Sequence, residues 1–83
     1  MWIVTIYKDY GYDIINYSKQ FINEDDAYDF FEIEIKKEFD LEIKEGLVSD
    51  QEIQNIVNNE YYRFESENKE VLIKIEEIDV KDN

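Results

Sequence analysis

The chain contains no histidine, no cysteine and no proline, only two glycines, and nine basic side chains against 22 acidic ones. Without histidine or cysteine there is no imidazole base, no thiolate nucleophile, no disulfide and no Cys/His zinc site. Ser18, Ser49 and Ser66 therefore lack an activating partner, and two glycines do not make a phosphate-cradling loop. The longest near-apolar run, Trp2 to Tyr7, is far short of the roughly 20 residues that cross a bilayer. The start has no basic leader followed by an apolar stretch and a small-residue cleavage site, so a cytoplasmic location is expected.

What is present is enough for a fold. At 83 residues and 10.1 kDa the chain is one domain, residues 1 to 83, too small for separate cofactor and substrate parts. With 43% hydrophobic and 16% aromatic residues it can build a core despite a net charge of −13. Such a surface repels phosphates and anionic lipid, so the expected partner is a basic protein, with no direct contact to nucleic acid or membrane.

Residues 2 to 8 alternate in β-branched and aromatic side chains and predict a strand. A second β-rich run, 12 to 18, follows Gly11, giving a hairpin. Asn23 before Glu24, Asp25 and Asp26 is a capping residue with three acids at the positive end of a helix dipole. Ala27, Tyr28, Phe31, Ile35 and Phe39 then form an apolar stripe over 24 to 39. The rival for 31 to 35 is a strand, because Phe31-Glu32-Ile33-Glu34-Ile35 alternates strictly. Ser49 and Glu52 have capping-box spacing and predict a shorter helix over 50 to 60. The stretch from Asp40 to Val48 is expected to be irregular, with Leu41, Ile43 and Leu47 lidding the core. Residues 61 to 65 and 70 to 78 predict a second hairpin, with Val71, Ile73 and Ile75 inward and the end beyond Val80 frayed. The expectation is an α+β fold of order β-β-α-α-β-β: a four-stranded antiparallel sheet of two hairpins, joined through strands one and four, with two helices on one face.

Acid is concentrated between Glu24 and Glu42, where nine carboxylates meet only Lys36 and Lys37. On a helical wheel Asp25, Asp29 and Glu32 share a solvent side with Asp26 beside them, and Glu34 and Glu38 form a row on the flank. A solvated helix face that keeps a small protein soluble is the bland explanation. The net charge, however, exceeds the magnitude of roughly 2 to 8 that solubility needs in a small domain. Ile33 lies almost opposite the stripe and Phe30 on its shoulder, an apolar anchor inside a charged rim. Tyr10 and Tyr12 flank the first turn, and tyrosine is frequent at interfaces. The partner-binding candidates are thus Asp25, Asp26, Asp29, Glu32, Ile33, Glu34, Glu38, Tyr10 and Tyr12.

Catalytic patterns are short and out of context. Glu34-Ile35-Lys36 and Glu42-Ile43-Lys44 match the acid-x-lysine letters of metal-dependent nucleases, whose substrate this charge would repel. Residues 23 to 34 have acids but not the central glycine of a calcium loop. A sheet this small offers little cleft for splitting the pKa values of paired carboxylates. No catalytic residue, cofactor or metal is expected.

In size, charge, absent catalytic residues and the cluster Glu24-Asp25-Asp26, Asp29, Glu32, Glu34 and Glu38, the chain resembles the small acidic anti-defence proteins of phages and mobile elements. These are the anti-CRISPR and anti-restriction DNA mimics. The resemblance covers no aligned motif, so no residue role carries over. It implies a protein inhibitor acting in a bacterial host cell, whose carboxylates imitate phosphates in the basic groove of a defence nuclease. The wealth of Ile, Asn, Lys and Glu resembles proteins of AT-rich genomes. Two alternatives differ in kind. One is an acidic adaptor or immunity-type protein that binds a cognate partner through Tyr10, Tyr12 and Ile33, and the other is a housekeeping domain without a strong partner.

Overall fold

In the computed structural model, which describes residues 1 to 79, the elements are β1 (Trp2–Asp9), β2 (Ile14–Phe21), α1 (Glu24–Glu38), α2 (Asp40–Lys44), α3 (Asp50–Asn58), β3 (Tyr61–Glu65) and β4 (Glu70–Glu77). The fold is α+β, with an antiparallel sheet of order β2-β1-β4-β3. The two hairpins join through β1 and β4 as the alternation implied, with Val4 opposite Ile75 and Ile6 opposite Ile73. Directly opposed residues share a face, so Val4, Ile6, Val71, Ile73 and Ile75 form one apolar surface. They are buried there with Ala27, Phe31 and Ile35 of α1 and Ile53 and Val57 of α3. The expectation for 81 to 83 lies outside the described residues.

The two longer helices, α1 and α3, each start where a side chain satisfies an orphan backbone N–H. Asn23 accepts from the Asp25 N–H at 2.8 Å, and Ser49 accepts from the Glu52 N–H at 3.2 Å. The ambiguity over 31 to 35 resolves as helix. Phe31 and Ile35, one turn apart, are both fully buried, whereas Ile33 is 52% exposed.

Three local readings change. The first turn is Tyr10 to Asp13, closed by Tyr10 N–H donating to the Asp13 carbonyl at 2.9 Å, so Tyr12 sits in the turn and β2 runs on to Phe21. Gly11 holds φ at 85° at the first central position, the requirement of a type II′ hairpin turn. A Cβ there would meet only Asn68 O at 3.9 Å, so the obstacle to a side chain is conformational and not steric. Gly11→Ala is expected to cost about 1–2 kcal/mol, lowering the melting temperature by several degrees in a calorimetric scan. An unchanged melting temperature would contradict the strained turn. Next, the irregular connection contains α2, a single five-residue turn too short to show periodicity. Lastly, Ile43 and Val48 pack on the core from this segment, but Leu41 and Leu47 face solvent.

α3 is capped by Asn59 and followed by Glu60, which holds φ at 61°, a conformation usually given to glycine. Its carboxylate Oε1 accepts a hydrogen bond from the Tyr28 hydroxyl at 2.7 Å, tying the end of α3 to the start of α1. Burial first, then this hydrogen bond and the charges of Glu60, Glu24 and Glu77, push the Tyr28 pKa up to about 12. The folded state thus holds this proton more tightly than the unfolded chain. Its contribution is complete below about pH 10, the ordinary tyrosine value, and is lost as pH rises toward 12. Thermal melts across that window should fall more steeply for the parent than for Tyr28→Phe; parallel curves would refute the linkage.

Candidate functional site

α1 carries the candidate site, and its wheel decides which acids are free. Ala27, Phe31 and Ile35 face the sheet. Glu34 and Glu38 follow Ala27 and Phe31 by seven residues, nearly two full turns, and so turn inward beside them. This corrects the expectation that the two form a flanking row open to a partner. Glu34 is only 3% exposed and pairs with Lys37 at 3.0 Å, a charged hydrogen bond that, ahead of simple attraction, raises the Lys37 pKa.

The Glu38 side chain is 7% exposed and lies between two lysines, Lys8 of β1 and Lys69 of the β3–β4 connection. Lys69 donates to Oε2 at 3.3 Å. The Lys8 ammonium is 3.1 Å from Oε1 but off the line of a hydrogen bond, so that oxygen is held by charge alone. Glu32 is the acid on the α3 side. It accepts from the Gln54 amide and lies 3.8 Å from the Lys36 ammonium.

The same pattern recurs elsewhere. Lys44 pairs with Asp40, Arg63 with Glu65 and Glu70, and Lys74 with Glu76. Among the described residues Lys19 is the one basic side chain without a carboxylate partner, and its ammonium lies over the Phe30 and Phe21 rings at 4.9 and 5.4 Å. The cations are thus spent on a subset of acids.

Left over on α1 are Asp25, Asp26 and Asp29, exposed and with no cationic partner among the described residues, next to exposed Glu24. Asp25, Asp29 and Ile33 succeed one another at one-turn intervals, about 6 Å apart, down the outer side. On α1 itself the free acids therefore lie on the N-terminal half, bordered by Ile33 and then by Lys36 and Lys37. The helical period correctly places these three aspartates and Ile33 outward; Glu24, counted in the acidic cluster but not among the partner-binding candidates, is exposed beside them. Near the other end of the helical layer, Asp50 and Glu52 are also exposed.

Tyr10 and Tyr12 stack at the first turn with ring centroids 6.3 Å apart, and Tyr12 is 89% exposed. The turn lies beside the β3–β4 connection, where Lys69 sits over the Tyr10 ring at 5.6 Å. The tyrosines occupy the end of the sheet, whereas Ile33 projects from the helix layer. A further exposed apolar set, Ile14, Ile15, Tyr17 and Ile22, lies along and just beyond β2 and was not anticipated. Its signal was available, because residues 14 to 23 contain no acid at all.

Among the described residues no three carboxylates converge closely enough to hold a metal ion, and no helix is long and apolar enough to span a membrane. Comparison with family models, curated proteins and solved structures returns no match to this chain.

Proposed function

We propose that the protein is a non-catalytic acidic inhibitor acting in the bacterial cytoplasm, where it occupies the basic nucleic-acid-binding groove of a defence nuclease by imitating phosphates. The observation that carries this reading is the separation of carboxylates into two classes. Glu32, Glu34 and Glu38 are committed to internal partners, while Asp25, Asp26 and Asp29 stay free on a rigid helix. Duplex DNA presents one charge per roughly 1.7 Å of axis, and a competitor needs acids fixed densely enough to hold the same lysines and arginines. A capped helix provides that fixation, and the long-range field of the −13 chain speeds encounter with a cationic groove. Ile33, one turn beyond Asp29, adds an apolar contact at the end of the anionic row.

The exposure of Tyr12 and Ile33 favours one other reading, an adaptor or immunity-type protein that binds a cognate protein away from any nucleic-acid groove. Displacement separates the two. The nuclease retained from a bacterial lysate is loaded with fluorescent DNA or RNA and titrated with this protein. Mimicry requires release of the label as the inhibitor binds, with weaker binding at higher salt. A stable ternary complex would overturn it in favour of the adaptor.

A further inference from the structure

The acid-free stretch of the sequence is also the sheet's long open edge. β2 is an edge strand of eight residues, exposed along its length except at Phe21. Natural edges are usually blunted by short strands, prolines, bulges or guarding charges. β3, the opposite edge, is five residues long and carries Arg63 and Glu65. On β2 the one such device is a single charge. Its register with β1 is unbroken from Asp9–Ile14 to Trp2–Phe21, and its one charge, Lys19, leans on the Phe21 and Phe30 rings.

The hydrogen-bond parity of this edge follows from the turn. Tyr10 and Asp13 are a bonded pair, so by alternation Ile15, Tyr17, Lys19 and Phe21 spend their backbone groups on β1. Ile14, Asn16, Ser18 and Gln20 point theirs outward. We infer that this edge pairs with the β2 strand of a second copy, antiparallel about a two-fold axis at Ser18, joining two sheets into one of eight strands.

That register is self-complementary. Ser18 meets its own copy, Asn16 meets Gln20, and Tyr17 meets Lys19, whose stem and ammonium suit an aromatic face. Ile15 meets Phe21, and Ile14, 61% exposed, meets Ile22, 91% exposed. A register centred on Lys19 would oppose two lysines, and one centred on Tyr17 would set Ile15 against Lys19 and Ile14 against Gln20. The edge also keeps the acids of both copies out of the seam, so the repulsion that remains is long-range and falls with salt. Dimerisation should therefore strengthen with salt, opposite in sign to the nuclease binding proposed above, and the two readings can fail independently.

Sedimentation equilibrium of the full chain at low and high salt should show a dimer that tightens as salt rises. Ser18→Pro removes only an outward-facing N–H, which an edge tolerates, and should weaken the dimer at least tenfold while leaving the circular dichroism spectrum intact. Because the chain has no cysteine, Ser18→Cys gives a second readout that does not depend on proline. Across a bonded antiparallel pair the Cα atoms lie about 5.5 Å apart, within disulfide range, so mild oxidation should cross-link Ser18→Cys. Gln20→Cys, opposite Asn16, should not cross-link at a comparable rate. A chain that stays monomeric at roughly 100 µM in both salts would overturn the inference. So would cross-linking that favours Gln20→Cys, or a dimer indifferent to Ser18→Pro in a folded variant.

Discussion

Lys8→Met is expected to destabilise the protein by about 3 kcal/mol, a large share of the order of 5–10 kcal/mol that a domain of this size holds. Lys8 projects from β1 on the helix-facing side, opposite Val71, and its side chain is 12% exposed. Methionine preserves the stem volume and removes only the charge. The variant leaves Glu38 nearly buried with Lys69 as its one cation and with Oε1 facing nothing positive. An ionised carboxylate stripped of a partner in that position carries its desolvation cost uncompensated. Chemical denaturation should show a lower midpoint with an unchanged slope, and adding Glu38→Gln should recover much of the loss. A cost below about 1 kcal/mol would mean that Glu38 is solvated in solution, and the division of the acids into committed and free would fail with it.

The triple reversal Asp25→Lys, Asp26→Lys, Asp29→Lys is expected to weaken binding to the basic target at least 100-fold. Each change removes an attraction and adds a like charge to the cationic groove, and these exposed side chains have no hydrogen-bond or ion-pair partner among the described residues. The two cations in the first turn, at positions 25 and 26, oppose the dipole at about 0.3–1 kcal/mol apiece, so the variant should fold with reduced stability. The neutral set Asp25→Asn, Asp26→Asn, Asp29→Asn separates the effects, since it keeps the helix start intact and should still lose most of the affinity. Isothermal titration against the captured nuclease reads both. Unchanged affinity in the neutral set would remove this helix from the interface.

Most of the fold was legible because local and global signals agree. The caps at Asn23 and Ser49, the alternation in β1 and β4 and the stripe on α1 each pointed to the element that forms. The start of β2 was placed two residues early because Tyr12, a strand-favouring type, sits in the turn that Gly11 sets. Within the site, Asp25, Asp29 and Ile33 were readable from helical period. The inward turn of Glu34 and Glu38 was also in that period, since they repeat Ala27 and Phe31 seven residues on. What the sequence did not disclose is that Lys8 of β1 and Lys69 of the β3–β4 connection, both far away in the chain, reach under α1 to meet Glu38. A burial-tolerant glutamate is only recognisable once its cations are placed.

Carboxylate footprinting with a water-soluble carbodiimide, read by mass spectrometry on the free protein and on its complex with the captured nuclease, tests the division of acids most directly. The free protein should label readily at Asp25, Asp26 and Asp29 and poorly at Glu34 and Glu38, and the complex should protect the three aspartates. Equal labelling of all five in the free protein, or aspartates as reactive in the complex as outside it, would contradict the account.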